Sequence, residues 1–104
     1  MHFTAEWCQP CNELKEVVYP DPVVASRLVR FVRAEVDIES PEGTVSARRH
    51  RVQTVPVLMI MNPQGEELRS LRMIGMRTPA QLAVKLDEAL TQSGLEPADT
   101  APTR

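Results

Sequence analysis

Cys8 and Cys11 are the only cysteines in the 104-residue chain, and two residues separate them. Thiols at that spacing suit two chemistries, reversible disulfide formation or ligation of a soft metal. What each sulfur does depends on the elements around the pair. Residues 3–5 read as the end of a buried strand and residues 12–18 as a helix, which puts the Cys-x-x-Cys on the turn between them. Cys8 then lies at a helix N-terminus, where free N–H groups and the positive end of the helix dipole favour a thiolate, so it is the candidate nucleophile. Cys11 lies one turn inside, less exposed and within reach of a mixed disulfide formed on Cys8, so it is the candidate resolving thiol. Pro10 suits the first helical turn, where a missing N–H costs nothing, and Trp7 is placed to cover the approach to the sulfurs.

The metal alternative is weaker on spacing. A closed zinc site needs two more ligands, and His2 and His50 do not form the usual pair three to five residues apart. A site shared between two chains escapes that objection. No metal or other cofactor is expected.

The elements that must position the cysteines follow in order. Leu14, Val17 and Val18 give the 12–18 helix an apolar stripe, with Glu13, Lys15 and Glu16 facing elsewhere. Asp21 and Pro22 cap a short helical segment over 23–29, and residues 31–38 alternate in part, as a strand with its apolar residues inward. Ser40 and Pro41 open a helix whose apolar face, Val45, Ala47 and His50, is thin. Arg48, Arg49, His50 and Arg51 end it. They could dock an acidic partner, but basic residues at a helix C-terminus also complement its dipole, and the solvated reading is preferred.

Residues 55–61 are continuously apolar, as a central strand covered on both faces must be, with Pro56 at its entrance. Residues 62–66 form a turn, and residues 67–74 return as an antiparallel strand with Leu68 and, after an irregularity, Leu71, Met73 or Ile74 inward. Met59, Met61, Met73 and Met76 read as core filling. Thr78, Pro79 and Gln81 make a capping box that opens a helix carrying Leu82, Leu86 and Leu90 on one face. Residues 1–92 thus form one domain, and residues 93–104 read as a disordered tail.

The segment from Ala5 to Cys11 resembles the active-site signature of the thioredoxin superfamily, with Gln9 where thioredoxin has glycine. The resemblance continues at Val55-Pro56, matching the family's cis-proline, at the hairpin turn 62–66, and at Gly75, the glycine before the last helix. Tyr19, Pro20, Asp21, Pro22 and Val23 are more like the C-terminal domain of the bacterial thiol:disulfide interchange protein DsbD. The resemblance implies an α/β, thioredoxin-like fold: a mixed central sheet of about four strands flanked by helices, without the family's N-terminal strand and helix. Right-handed crossovers then place the motif strand between strands 31–38 and 57–61.

It also implies a protein-disulfide reductase. Trp7, Val55, Pro56 and Gly75 would line the substrate groove, a disulfide-containing protein would be the substrate, and an upstream thiol electron donor would restore the dithiol. No histidine stands between the cysteines, so a reductant is favoured over an oxidant. His2 occupies the position of the family's buried acid, making it a candidate proton relay, although a frayed terminal residue is the blander and preferred reading. A non-catalytic interaction domain with the same groove is the alternative.

Twelve basic against fourteen acidic residues give a net charge of −2, which argues against nucleic acid as a partner. The longest apolar run is far too short to span a membrane, and a monomer is expected. The motif strand begins at Met1 with no leader before it. If the chain is a fragment, the resemblance to DsbD implies a periplasmic location, and a thioredoxin-like role would imply a cytoplasmic one.

Overall fold

The computed structural model describes residues 1–95. All four α-helices among them begin by one device, a side chain that accepts a backbone N–H, with proline in the first turn. Cys8 caps α1 (Gln9–Glu13), Asp21 caps α2 (Pro22–Leu28), Ser40 caps α3 (Pro41–Arg49) and Thr78 caps α4 (Pro79–Gln92). At α4 the box is reciprocal: Thr78 Oγ1 accepts from the Gln81 N–H at 3.2 Å and Gln81 Oε1 from the Thr78 N–H at 3.0 Å. Each cap satisfies a donor that the helix cannot, and each proline fixes φ where no N–H is needed.

The strands β1 (His2–Thr4), β2 (Glu35–Asp37), β3 (Val57–Leu58) and β4 (Met73–Ile74) form one sheet in the order β2-β1-β3-β4. β1 runs parallel to β2, with Phe3 opposite Val36, and antiparallel to β3, with Phe3 opposite Val57. β4 pairs antiparallel with β3. The motif strand is therefore central, as expected. Phe3, Val57, Met59 and Ala47 pack together on the α3 side of the sheet. The larger core forms where Leu14, Val18, Val24, Leu58, Ile60, Met73, Leu82 and Leu86 meet. Burying one such aliphatic side chain stabilises by about 1.5–3 kcal/mol. Arg27 and Asp87, paired at 3.0 Å, tie α2 to α4 beside it.

Two sequence expectations are corrected and a third is refined. After Glu13 the helix widens into a π turn (Leu14–Val18), closed by the Tyr19 N–H on the Leu14 carbonyl at 2.8 Å. The extra residue in that turn keeps Leu14 and Val18 inward but swings Val17 out, 59% exposed. The strand expected over 31–38 shrinks to β2, because pairing with β1 starts at Ala34 and the Arg30 and Phe31 N–H groups bond back to Arg27 and Leu28. Val32 is consequently 98% exposed. The return strand is broken by a 3₁₀ turn (Arg69–Leu71), the irregularity anticipated, which leaves Leu71 and Met73 buried and Ile74 facing solvent.

Gly43 sets how closely α3 approaches the end of β2, since a Cβ there would lie 1.6 Å from the Asp37 carbonyl oxygen. Ser93, Gly94 and Leu95, placed in the tail by the sequence, close α4: the Gly94 N–H bonds to Thr91 and the Leu95 N–H to Leu90. The rest of that tail, residues 96–104, lies outside the described residues.

The same C-terminal motif ends α3, where the Arg51 N–H bonds to Arg48 and the Val52 N–H to Ala47. Here the left-handed position, φ 58°, holds arginine. A side chain in that conformation costs about 1–2 kcal/mol, more than the roughly 0.3–1 kcal/mol that a cation gains near a helix C-terminus. Arg51→Gly is therefore expected to raise the unfolding free energy by about 1 kcal/mol, read from the midpoint of urea denaturation at constant slope.

Candidate active site

β1 delivers the chain to the carboxyl edge of the sheet, and four residues separate its end from the start of α1. Ala5 is buried there, and its carbonyl accepts the Cys8 N–H at 3.1 Å, making the tight turn between strand and helix. Asn12 Nδ2 bonds to the Glu6 carbonyl at 3.2 Å and steadies the turn from the helix side. Cys8 is the N-cap of α1, and its sulfur accepts the Cys11 N–H at 3.2 Å. The two cysteines are joined as a disulfide, with Cα atoms 5.2 Å apart. Both are buried, Cys8 at 3% exposure and Cys11 at 0%. They pack with Ala5, Ile38 and Val55.

Val55 brings the second chain segment to the pair. The Val55–Pro56 peptide is cis. The Pro56 carbonyl accepts the Gly75 N–H at 2.9 Å, which joins the entrance of β3 to the loop before α4. Neither the N–H nor the C=O of Val55 is paired among the described residues. Cys8, Cys11, Val55, Pro56 and Gly75, singled out in the sequence, thus lie in one connected region.

Trp7 stands at its rim, 65% exposed, and its indole N–H donates to Glu39 Oε2 at 2.8 Å. Sequence reasoning missed Glu39, and no local signal could have found it, since it lies 32 residues from Trp7 and is an ordinary exposed acid. Ile38 was read only as a strand residue. Its packing on the cysteines follows from the parallel register that carries β2 past Thr4, where the Ile38 N–H meets the Thr4 carbonyl at 2.9 Å.

The structure corrects the preferred reading of His2. It is not frayed: it is in β1, 5% exposed, with its backbone N–H on the Ala34 carbonyl at 2.8 Å. Its ring meets Tyr19 edge-on at 5.6 Å, and Arg33 lies over the other ring at 5.3 Å. Neither imidazole nitrogen has a hydrogen-bond partner, nor does the buried Thr4 hydroxyl two residues on. No hydrogen bond connects His2 to either cysteine. Burial lowers its pKa to about 4, with Glu35 pulling it up and Lys15 and the amino terminus pulling it further down. Burial also raises the Tyr19 hydroxyl well above its usual range.

Among the described residues no group of three or more His, Cys, Asp or Glu side chains is placed to hold a metal ion. No helix of the described residues is long and apolar enough to cross a membrane.

A central strand feeding a helix-capping Cys-x-x-Cys beside a cis-proline loop defines a thioredoxin-fold dithiol protein. The comparisons carry this further. The family model described as Thioredoxin-like matches residues 1–63, and the chain belongs to that family. It is 31% identical over 90 residues to the thiol:disulfide interchange protein DsbD 1 of Pseudomonas aeruginosa, covering 85% of this chain and 15% of that protein. To DsbD of Pseudomonas fluorescens it is 30% identical over 77 residues, 72% of this chain and 13% of that one. The chain thus spans about one seventh of these curated relatives. The solution structure of a thioredoxin from Thermus thermophilus superposes with a TM-score of 0.78 at 31% identity, covering 89% of this chain and 73% of that one.

His2 gives a pH test with a defined sign. A histidine held near 4 when folded and near ~6.5 when unfolded binds its proton more readily in the unfolded chain. Its contribution is harmless above the unfolded value, and stability is lost as pH falls from there toward 4. His2→Leu also removes two unpaired buried nitrogens. Urea unfolding of this variant is expected to show a shallower loss between pH 6.5 and 4 than the parent, with the gap between them narrowing at pH 8.

Proposed function

We propose that the chain is a thiol:disulfide oxidoreductase working as a protein-disulfide reductant through Cys8 and Cys11. The carrying observation is the Cys11 N–H aimed at the Cys8 sulfur at a helix N-terminus, 3.2 Å away. That donor and the helix dipole favour a thiolate on Cys8 once the pair is reduced. The thiolate attacks one sulfur of a substrate disulfide, whose S–S bond breaks and whose other sulfur leaves as a thiol after protonation. Cys11 then attacks Cys8, the mixed disulfide breaks, and the second substrate thiol is released. Two electrons and two protons pass to the substrate, and the protein ends as the Cys8–Cys11 disulfide. An upstream thiol donor reverses that oxidation.

The free N–H and C=O of Val55 suit an extended substrate segment, which would pair there as an added strand beside the sulfurs. Trp7, Pro56 and Gly75 form the walls of that groove. A histidine held near 4 accepts protons poorly at neutral pH, which makes His2 a weak relay for the Cys11 proton. The relatives named as interchange proteins support exchange chemistry, and the absence of a histidine between the cysteines supports the reducing direction. The non-catalytic alternative, a groove that binds without turnover, makes the opposite demand on the cysteines.

Replacement of the resolving thiol separates the two. Cys11→Ser, incubated reduced with a disulfide-containing protein, is expected to accumulate a mixed disulfide on Cys8, visible by non-reducing electrophoresis and lost on adding dithiothreitol. Cys8→Ser is expected to form none, with turnover at least a hundredfold below the parent in a protein-disulfide reduction assay. Unchanged turnover in Cys8→Ser would remove Cys8 from the chemistry.

A further inference from the structure

Arg51 occupies a left-handed position that glycine fills at the matching point of α4. The backbone there closes α3 through the Arg51 and Val52 N–H groups, a role that needs no arginine side chain. The guanidinium groups of Arg48, Arg49 and Arg51 form no hydrogen bond or ion pair among the described residues. Arg72, one strand away, is by contrast clamped by both Glu67 oxygens at 2.7 and 2.8 Å and by the His50 carbonyl. A chain of net charge −2 therefore holds three uncompensated arginines within four residues.

These arginines flank a surface cavity of about 440 Å³. Ile38, Ala47 and Val52 contribute apolar surface to it, Arg48 and Arg51 line it, and Thr54 carries it to Val55. No carboxylate is among the lining residues. Ile38 also packs on the cysteine pair, so the cavity and the disulfide share a wall. Of the two acids flanking Ile38 in sequence, Glu39 is engaged by Trp7 and Asp37 accepts the Glu39 N–H.

We infer that Arg48 and Arg51 form a docking surface for an acidic segment of the partner protein, next to the disulfide that Cys8 attacks. This deepens the exchange function proposed above and rests on it for the identity of the partner as a disulfide protein. Carboxylates seated on the two arginines steer the encounter and hold the substrate's extended segment toward Val55. The helix-dipole explanation covers Arg48 and Arg49 in the last turn of α3 but not Arg51, which lies beyond the helix end.

The test uses three synthetic peptides of one length, each with a single disulfide flanked by Glu, Ser or Lys. At low salt the reduced protein is expected to react with the Glu peptide about tenfold faster than with the Lys peptide. Arg48→Glu with Arg51→Glu should reverse that preference and high salt should abolish it, while the Ser peptide keeps its rate. Arg48→Gln with Arg51→Gly, which suits the left-handed backbone, guards against loss of folding and should reduce the preference. Rates independent of flanking charge in the parent protein, or a Glu-over-Lys preference of undiminished size in both variants, would overturn the inference. The same peptides with serine in place of cysteine, titrated onto oxidised protein and followed by fluorescence anisotropy, read docking without turnover. Tighter binding of the Glu peptide that both variants lose supports the surface, and charge-independent binding overturns it. Failure of all three disulfides to exchange counts against the oxidoreductase function alone.

Discussion

The structure depends on one short contact, the Cys11 N–H directed at the Cys8 sulfur in the first turn of α1. It requires a helix to start at the carboxyl end of a strand, with no slack between them. The buried turn at Ala5, the Asn12 bond to Glu6 and Pro10 in the first turn meet that requirement. The strand in turn must not move. β1 is central, paired on both edges and buried along its length, so the sulfurs inherit the rigidity of the sheet.

The second segment at the site is held by a different means. Val55 and Pro56 belong to the entrance of β3, anchored by the Gly75 N–H on one side and by packing against the cysteines on the other. Its main chain is left with open hydrogen-bonding groups beside the disulfide, in a molecule that otherwise caps its ends carefully. Every α-helix start among the described residues is capped, and α3 and α4 both finish with following N–H groups bonded back to carbonyls of the last turns. Val55 has no main-chain partner among the described residues, and the buried side chains of His2 and Thr4 are likewise unpaired.

Most of the fold was legible because its signals are local. Cap residues followed by proline announce the helices, and the apolar run 55–61 announces the covered strand. The cysteine spacing and its distance from Pro56 announce the site. What was not legible depends on tertiary pairing. The π turn that exposes Val17 has no composition cue, since it is closed by one backbone bond chosen by packing. The shortened β2 follows from where β1 offers partners, not from the alternation of residues 31–38. His2 looked like a frayed end because burial of the first strand is a property of the sheet. Arg51 read as one more solvated cation, and only its backbone angle sets it apart.

The most direct test of the account is a redox equilibrium titration: free thiols counted after equilibration in defined thiol/disulfide buffers, with folding followed in parallel. The account predicts a reversible two-electron couple carried by Cys8 and Cys11, nearer the reducing value of about −270 mV than the oxidising one of about −120 mV. A folded protein in which the two thiols do not interconvert with a disulfide across that range would contradict it.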